Sequence, residues 1–113
     1  MKNKKKQIKI AIPTNDRITV AKRTGRCKEF LIVDINGEDV ILDYVENNHT
    51  HEDEEEHEGE HSHTEIVEIL EGIDLLLVIN IGKNLKKDVE RGKIKYQKTT
   101  ETNIEKIISK YSS

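Results

Sequence analysis

The chain has 113 residues, the size of one domain, and can bury a single core without cross-links. Apolar residues make up 34%, charged residues 36% and the net charge is −3, which describes a thin core under a heavily solvated surface. One cysteine excludes an internal disulfide and a Cys-only zinc site, and no apolar run reaches the roughly 18–20 residues of a membrane helix.

The basic start, Met1 to Lys6, is followed by an apolar segment of only Ile8 to Ile12, too short for a signal peptide's core, so a cytoplasmic protein is expected. Ile8-Lys9-Ile10-Ala11-Ile12 alternates and then meets Pro13-Thr14-Asn15-Asp16, a strand followed by turn chemistry. A short extended piece is expected over Arg17 to Val20. Phe30 to Ile35 is a second strand. Asn36-Gly37 predicts a hairpin because both residues tolerate positive φ, with Asp39 to Val45 as the return strand.

No apolar anchor lies between Val45 and Ile66. Thr64 to Leu70 then has apolar residues at 66, 67, 69 and 70, a helical stripe that ends at Gly72. Leu75 to Ile79 is an unbroken apolar run, as in a parallel strand buried on both faces. Asn84 to Arg91 predicts a short helix, Ile94 to Tyr96 a short strand, and Ile104, Ile107, Ile108 and Tyr111 the stripe of a last helix capped by Thr102 or Asn103. The order predicts an α/β fold: a mixed, mostly parallel five-stranded sheet with helices on its faces. One domain spans residues 1–113, with a flexible His- and acid-rich loop at about 47–63.

That loop is the first candidate site. His49, His51, His57, His61 and His63, all the histidines of the chain, lie within 15 residues together with seven of its 22 acids and no base. Neutral imidazole is the commonest metal ligand and carboxylates complete such sites, so zinc, nickel, cobalt, copper(II) or iron(II) suits this donor set. The same composition describes a solvated loop, and disorder from about His49 to Glu60 is expected without metal. Outside the loop the chain carries four more bases than acids, too weak a balance to predict nucleic-acid binding.

The second candidate is Val20 to Cys27. Lys22, Arg23, Arg26 and Lys28 surround Cys27, an arrangement expected to lower the thiol pKa and to hold an anionic group. The third is Asn80-Ile81-Gly82-Lys83-Asn84, between a strand and a helix, where ligands of open α/β sheets bind. The Walker A spacing and the GxSxG elbow are absent, and Asp16, Asp34 and Asp74, at their places along the strands, are not expected to converge as a two-metal nuclease requires.

Several stretches in order resemble the small nitrogenase iron–molybdenum cofactor biosynthesis proteins. They are Ile8 to Pro13, Gly25-Arg26-Cys27-Lys28-Glu29-Phe30, Val45-Glu46-Asn47 opening a His-rich loop, Gly72-Ile73-Asp74, Ile81-Gly82, and Gly92-Lys93-Ile94-Lys95-Tyr96. The resemblance implies a ribonuclease-H-like fold and no catalysis. It implies binding of an iron–sulfur or iron–molybdenum type cluster or its precursor, and a cofactor-donor or acceptor protein as partner, with neither nucleic acid nor membrane. The family's Ser-Pro-His-Phe-Gly-Arg is Ala21 to Arg26 here, with Arg23 in the histidine's place and Gly25 and Arg26 matching. Its Gly-Gly-Ile-Gly is Ile79-Asn80-Ile81-Gly82, of which Ile81 and Gly82 match. The cofactor residues expected are therefore Arg23, Gly25, Arg26, Cys27, Asn80, Ile81 and Gly82. The alternative is a divalent-metal buffer or sensor acting through the five histidines.

Overall fold

The computed structural model describes residues 7–47 and 64–112. The elements are β1 (Gln7–Thr14), β2 (Glu29–Asn36), β3 (Asp39–Glu46), α1 (Thr64–Ile69), β4 (Leu75–Val78), α2 (Lys83–Arg91), β5 (Tyr96–Lys98) and α3 (Ile104–Ser112), with a 3₁₀ turn at Thr24–Arg26. The five strands form one sheet in the order β3-β2-β1-β4-β5.

The pairing corrects the expected mostly parallel sheet. β2 runs antiparallel to both β1 and β3 along eight aligned residue pairs each. The parallel ladders are shorter, two aligned pairs between β1 and β4 and three between β4 and β5. The alternating α/β pattern occupies only the second half of the chain. The first half holds no helix long enough to cross over the sheet: β2 and β3 are joined by a two-residue turn, and β1 reaches β2 through the loop of residues 15–28, so neighbouring strands run antiparallel.

The alternation of side chains sorts the apolar residues onto two faces. On one face Ala11, Phe30, Leu76 and Val78 pack against Ile66 and Leu70 of the α1 segment and Leu85 and Val89 of α2. On the other, Ile10, Ile12, Leu31, Val33 and Leu77 pack against Ile104 and Ile107 of α3. Leu75-Leu76-Leu77-Val78 is a continuous apolar run because both faces of β4 are covered. Each fully buried Leu, Ile or Val contributes about 1.5–3 kcal/mol.

Several local boundaries differ from the sequence reading. β1 continues through Pro13, paired with Phe30, because its ladder with β4 reaches only Ala11 and the missing N–H is not needed there. The hairpin turn is Gly37-Glu38, one residue later than Asn36-Gly37, and Gly37 alone has positive φ, at 67°. A type II′ turn asks for glycine at that first central position. β5 starts at Tyr96, not Ile94, and Ile94 is a core residue beside α2. Arg17 to Val20 is no strand; Thr19 and Val20 make single bridges to Asn103 and Thr14. Asn103 caps α3, its Oδ1 accepting Lys106 N–H at 3.0 Å.

A candidate ligand site at the carboxyl end of the sheet

β1, β3, β4 and β5 run the same way, so the segments following each of them leave from one end of the sheet. Three of these segments are the regions singled out in the sequence. The loop after β1 carries Arg23 to Cys27, Asn47 follows β3, and Asn80 to Gly82 follow β4.

Hydrogen bonds hold the described parts together. The Thr24 hydroxyl donates to the Asn80 carbonyl at 2.8 Å, and Thr24 N–H donates to the same oxygen at 3.3 Å. Thr24 is buried while its neighbours Arg23 and Arg26 are exposed, so the 3₁₀ turn is pinned by Thr24 and presents its cations to solvent. Asn47 N–H donates to the Lys28 carbonyl at 2.9 Å, and the buried Asn47 amide donates to the Cys27 carbonyl at 2.9 Å. The same turn is thus anchored to the strand end after β4 and to the residue after β3.

The start of the loop is set by Asp16. Its Oδ1 accepts the N–H groups of Ile18 and Thr19 at 2.9 and 2.8 Å, and the Thr19 hydroxyl donates to its Oδ2. These donors hold its carboxyl below the usual carboxylate range, the Thr19 N–H most strongly. Arg17 beside it adopts a left-handed φ of 66°, ion-pairs with Glu29 and lies 4.1 Å from the Tyr44 ring centroid. The hydrogen bond from Arg17 holds Glu29 below its ordinary value and raises Arg17.

Gly82 directly precedes α2; its φ of −68° and ψ of 158° are extended, and it has no side chain to cap the helix. Nothing lies within 4 Å of where a Cβ on Gly82 would sit. The first N–H groups of a helix have no carbonyl partners within it and favour an anion. Gly82, Lys83 and Asn84 are exposed at this end, and Ile81 is half-buried against the α1–α2 core.

Cys27 departs from the expectation of an activated thiol. Its side chain is fully buried within the core under α1 and α2, while Lys22, Arg23, Arg26 and Lys28 are exposed. Burial pushes the thiol up to about 12, against a smaller opposing effect of the Asn47 amide 3.7 Å from Sγ. Sequence proximity brought the cations near the backbone of Cys27 and not near its sulfur.

His49, His51, His57, His61 and His63 lie outside the described residues. Among the described residues no group of three or more His, Cys, Asp or Glu is placed to hold a metal ion. Asp16 follows β1 at the carboxyl end of the sheet. Asp74 lies at the opposite end, where its Oδ2 accepts Lys9 N–H at 2.8 Å and its N–H donates to the Lys9 carbonyl. Among the described residues no helix is long and apolar enough to cross a membrane. Thr24 and Asn47 lie in stretches the sequence singled out, but neither was assigned a role, because a lone Thr in a basic turn and a lone Asn after a strand are too common to act on.

Solved structures with the same fold include PH0822, with 23% identity, a TM-score of 0.70, and 92% of this chain and 89% of that one covered. The MJ0327 protein of Methanocaldococcus jannaschii matches with 20% identity and a TM-score of 0.67 over 94% of this chain and 88% of that one. The apo form of the orange protein from Desulfovibrio gigas matches with 17% identity and a TM-score of 0.68 over 96% and 89%. No curated protein matches the sequence. The family model for the dinitrogenase iron–molybdenum cofactor matches residues 6–113, and the chain therefore belongs to that family.

Proposed function

We propose that this protein binds and carries an iron–sulfur or iron–molybdenum type cluster, or its precursor, without catalysing a reaction. Membership of the family supports the ligand class. The observation that carries the reading is the double hydrogen bond from Thr24 to the Asn80 carbonyl, which fixes the Arg23–Arg26 turn against the start of α2. An anionic cargo there meets the exposed guanidinium groups of Arg23 and Arg26, the backbone at Gly25, and the uncapped N–H groups after Gly82. Asn80 and Ile81 hold that backbone in place. These groups fit the charge of such a cluster. Cys27 fits the role of thiolate ligand poorly, because its sulfur is buried and its ionisation opposed.

The strand order, with β2 alone running against the other four strands, supports a ribonuclease-H-like classification of the fold. A cytoplasmic site and a cofactor-donating or accepting partner protein complete this reading.

The test is anaerobic mixing of the metal-free protein with an iron–sulfur or iron–molybdenum cluster, followed by gel filtration. Charge-transfer absorption should remain with the protein, and Arg23→Ala together with Arg26→Ala should weaken retention at least about tenfold. No retained absorption overturns the proposal. A buffer or sensor working through His49, His51, His57, His61 and His63 is the second reading. The five histidines within 15 residues, with seven acids and no base, support it. Deleting residues 49–63 separates the two: a carrier keeps the cluster, and a buffer loses zinc or nickel binding.

A further inference from the structure

The two edges of the sheet carry opposite charges. Among the described residues β3 pairs only with β2, and its acids are Asp39, Asp43 and Glu46 with no base. Between these acids Val40, Ile41 and Leu42 are 38%, 61% and 46% exposed. Among the described residues β5 pairs only with β4; it carries Lys98, with Lys93 and Lys95 just before it and no acid. Each strand therefore offers an unpaired row of backbone N–H and C=O groups among the described residues, a template for another strand.

Charge decides which strand fits. A β3–β3 contact brings the acids of β3 together, and a β5–β5 contact brings together Lys98 and the lysines just before the strand. Like charges facing each other across strands are destabilising, so both symmetric contacts are disfavoured. Only β3 on β5 joins opposite signs.

Strand direction and facing agree with that contact. β3 and β5 run the same way within the sheet, so a copy shifted sideways meets the first with parallel strands and with its helices on matching faces. Tyr96 and Lys98 align with Leu76 and Val78, which lie on the face covered by α1 and α2. Asp43 and Val45 align with Ile32 and Phe30 of the same face, and Ile41 shares it by alternation. In the register that sets Lys98 beside Asp43 of the second copy, Tyr96 lies beside Ile41. One ion pair and one apolar pair form together, and the most exposed apolar residue of β3 is covered.

We propose that β3 and β5 are complementary docking edges through which copies of this chain associate head to tail, extending the sheet from one copy to the next. The contact is heterologous, so it does not close at a dimer. It involves one short strand on one side, which makes it weak and screened by salt.

Sedimentation equilibrium of the full chain tests this over concentrations up to the order of 1 mM. The weight-average mass should rise from the 13.1 kDa monomer without levelling at twice that value, and the rise should vanish in about 1 M salt. Asp43→Lys alone and Lys98→Glu alone should each weaken association about tenfold by placing like charges together. The double variant D43K/K98E reverses both charges and should restore it. Both positions are exposed, and circular dichroism verifies that each variant is folded. A wild type that stays monomeric, a Lys98→Glu protein that associates as well as wild type, or a double variant no better than the single ones each overturns the proposal.

Discussion

The Thr24 hydroxyl donates to the carbonyl of Asn80, 56 residues away, at 2.8 Å, and both lie at the end of the sheet where β1 and β4 finish. Thr24 is buried, so this bond is not readily replaced by water. Thr24→Val keeps the shape of the side chain and removes the donor. It should lower the unfolding free energy in urea by about 1–2 kcal/mol. The Asn80 carbonyl keeps the weaker N–H bond from Thr24, which limits the loss. If the turn presents Arg23 and Arg26 to a ligand, the same substitution should also weaken cluster retention in protein that is still fully folded.

Acid stability should depend on Asp16 and Glu29. Both carboxyls are held below their ordinary values, Asp16 by backbone and hydroxyl donors and Glu29 by Arg17. A depressed folded pKa means that the unfolded chain takes up protons first as pH falls. The stabilisation is therefore complete above the unfolded carboxylate range, near pH 4, and is lost as pH falls through the folded values. Urea unfolding between about pH 2 and 7 should show a shallower loss below pH 4 for Asp16→Asn and for Glu29→Gln than for wild type. Equal slopes in all three proteins would contradict the assignment.

Cys27 should behave as a core thiol. With its ionisation pushed up to about 12, the native protein has far less thiolate at pH 8 than an unfolded chain. Ionisation alone slows reaction with a disulfide reagent on the order of a thousandfold, and burial adds to that. Stopped-flow measurement in buffer and in urea gives the ratio. The sign for stability is opposite to that of Asp16. The unfolded thiol ionises first as pH rises, so stability falls more steeply above about pH 9 in wild type than in Cys27→Ala.

The strands and helices were legible because burial leaves a period in the sequence. Leu75 to Val78 reads as a two-faced strand for the reason that it is one, and the Leu85–Val89 spacing places both residues on the buried side of α2. The pairing was less legible. Nothing in Ile8 to Ile12 states that its neighbours will be β2 and β4, and hydrogen bonding to both leaves no mark on side-chain order. The candidate site was half legible. The cations near Cys27 were evident, but sequence distance says nothing about side-chain direction, and the sulfur faces the core. Exposure of Ile41 on an edge strand was hidden as well, since Val-Ile-Leu reads as buried until its neighbours are known.

Asn47 gives the sharpest test of how the end of the sheet is built. It follows β3 directly, is buried, donates its side-chain amide to the Cys27 carbonyl at 2.9 Å and lies 3.7 Å from the thiol sulfur. Its backbone N–H donates to the Lys28 carbonyl at 2.9 Å, which extends the β2–β3 pairing by one more residue. Asn47→Ala keeps the backbone bond and deletes the amide. The Cys27 carbonyl then loses a donor within a buried site, and a small cavity opens beside the sulfur. The cost should be about 1–3 kcal/mol in urea unfolding. A core variant on the opposite face, Ile107→Val, should cost about 0.5–1.5 kcal/mol and provides the control when the two are compared at equal unfolding free energy, set with urea. If Asn47 seals the thiol, reaction of native Cys27 with a disulfide reagent should accelerate in Asn47→Ala well beyond its rate in Ile107→Val. Equal rates in the two variants would mean that the thiol is reached only by global unfolding and that Asn47 does not guard it.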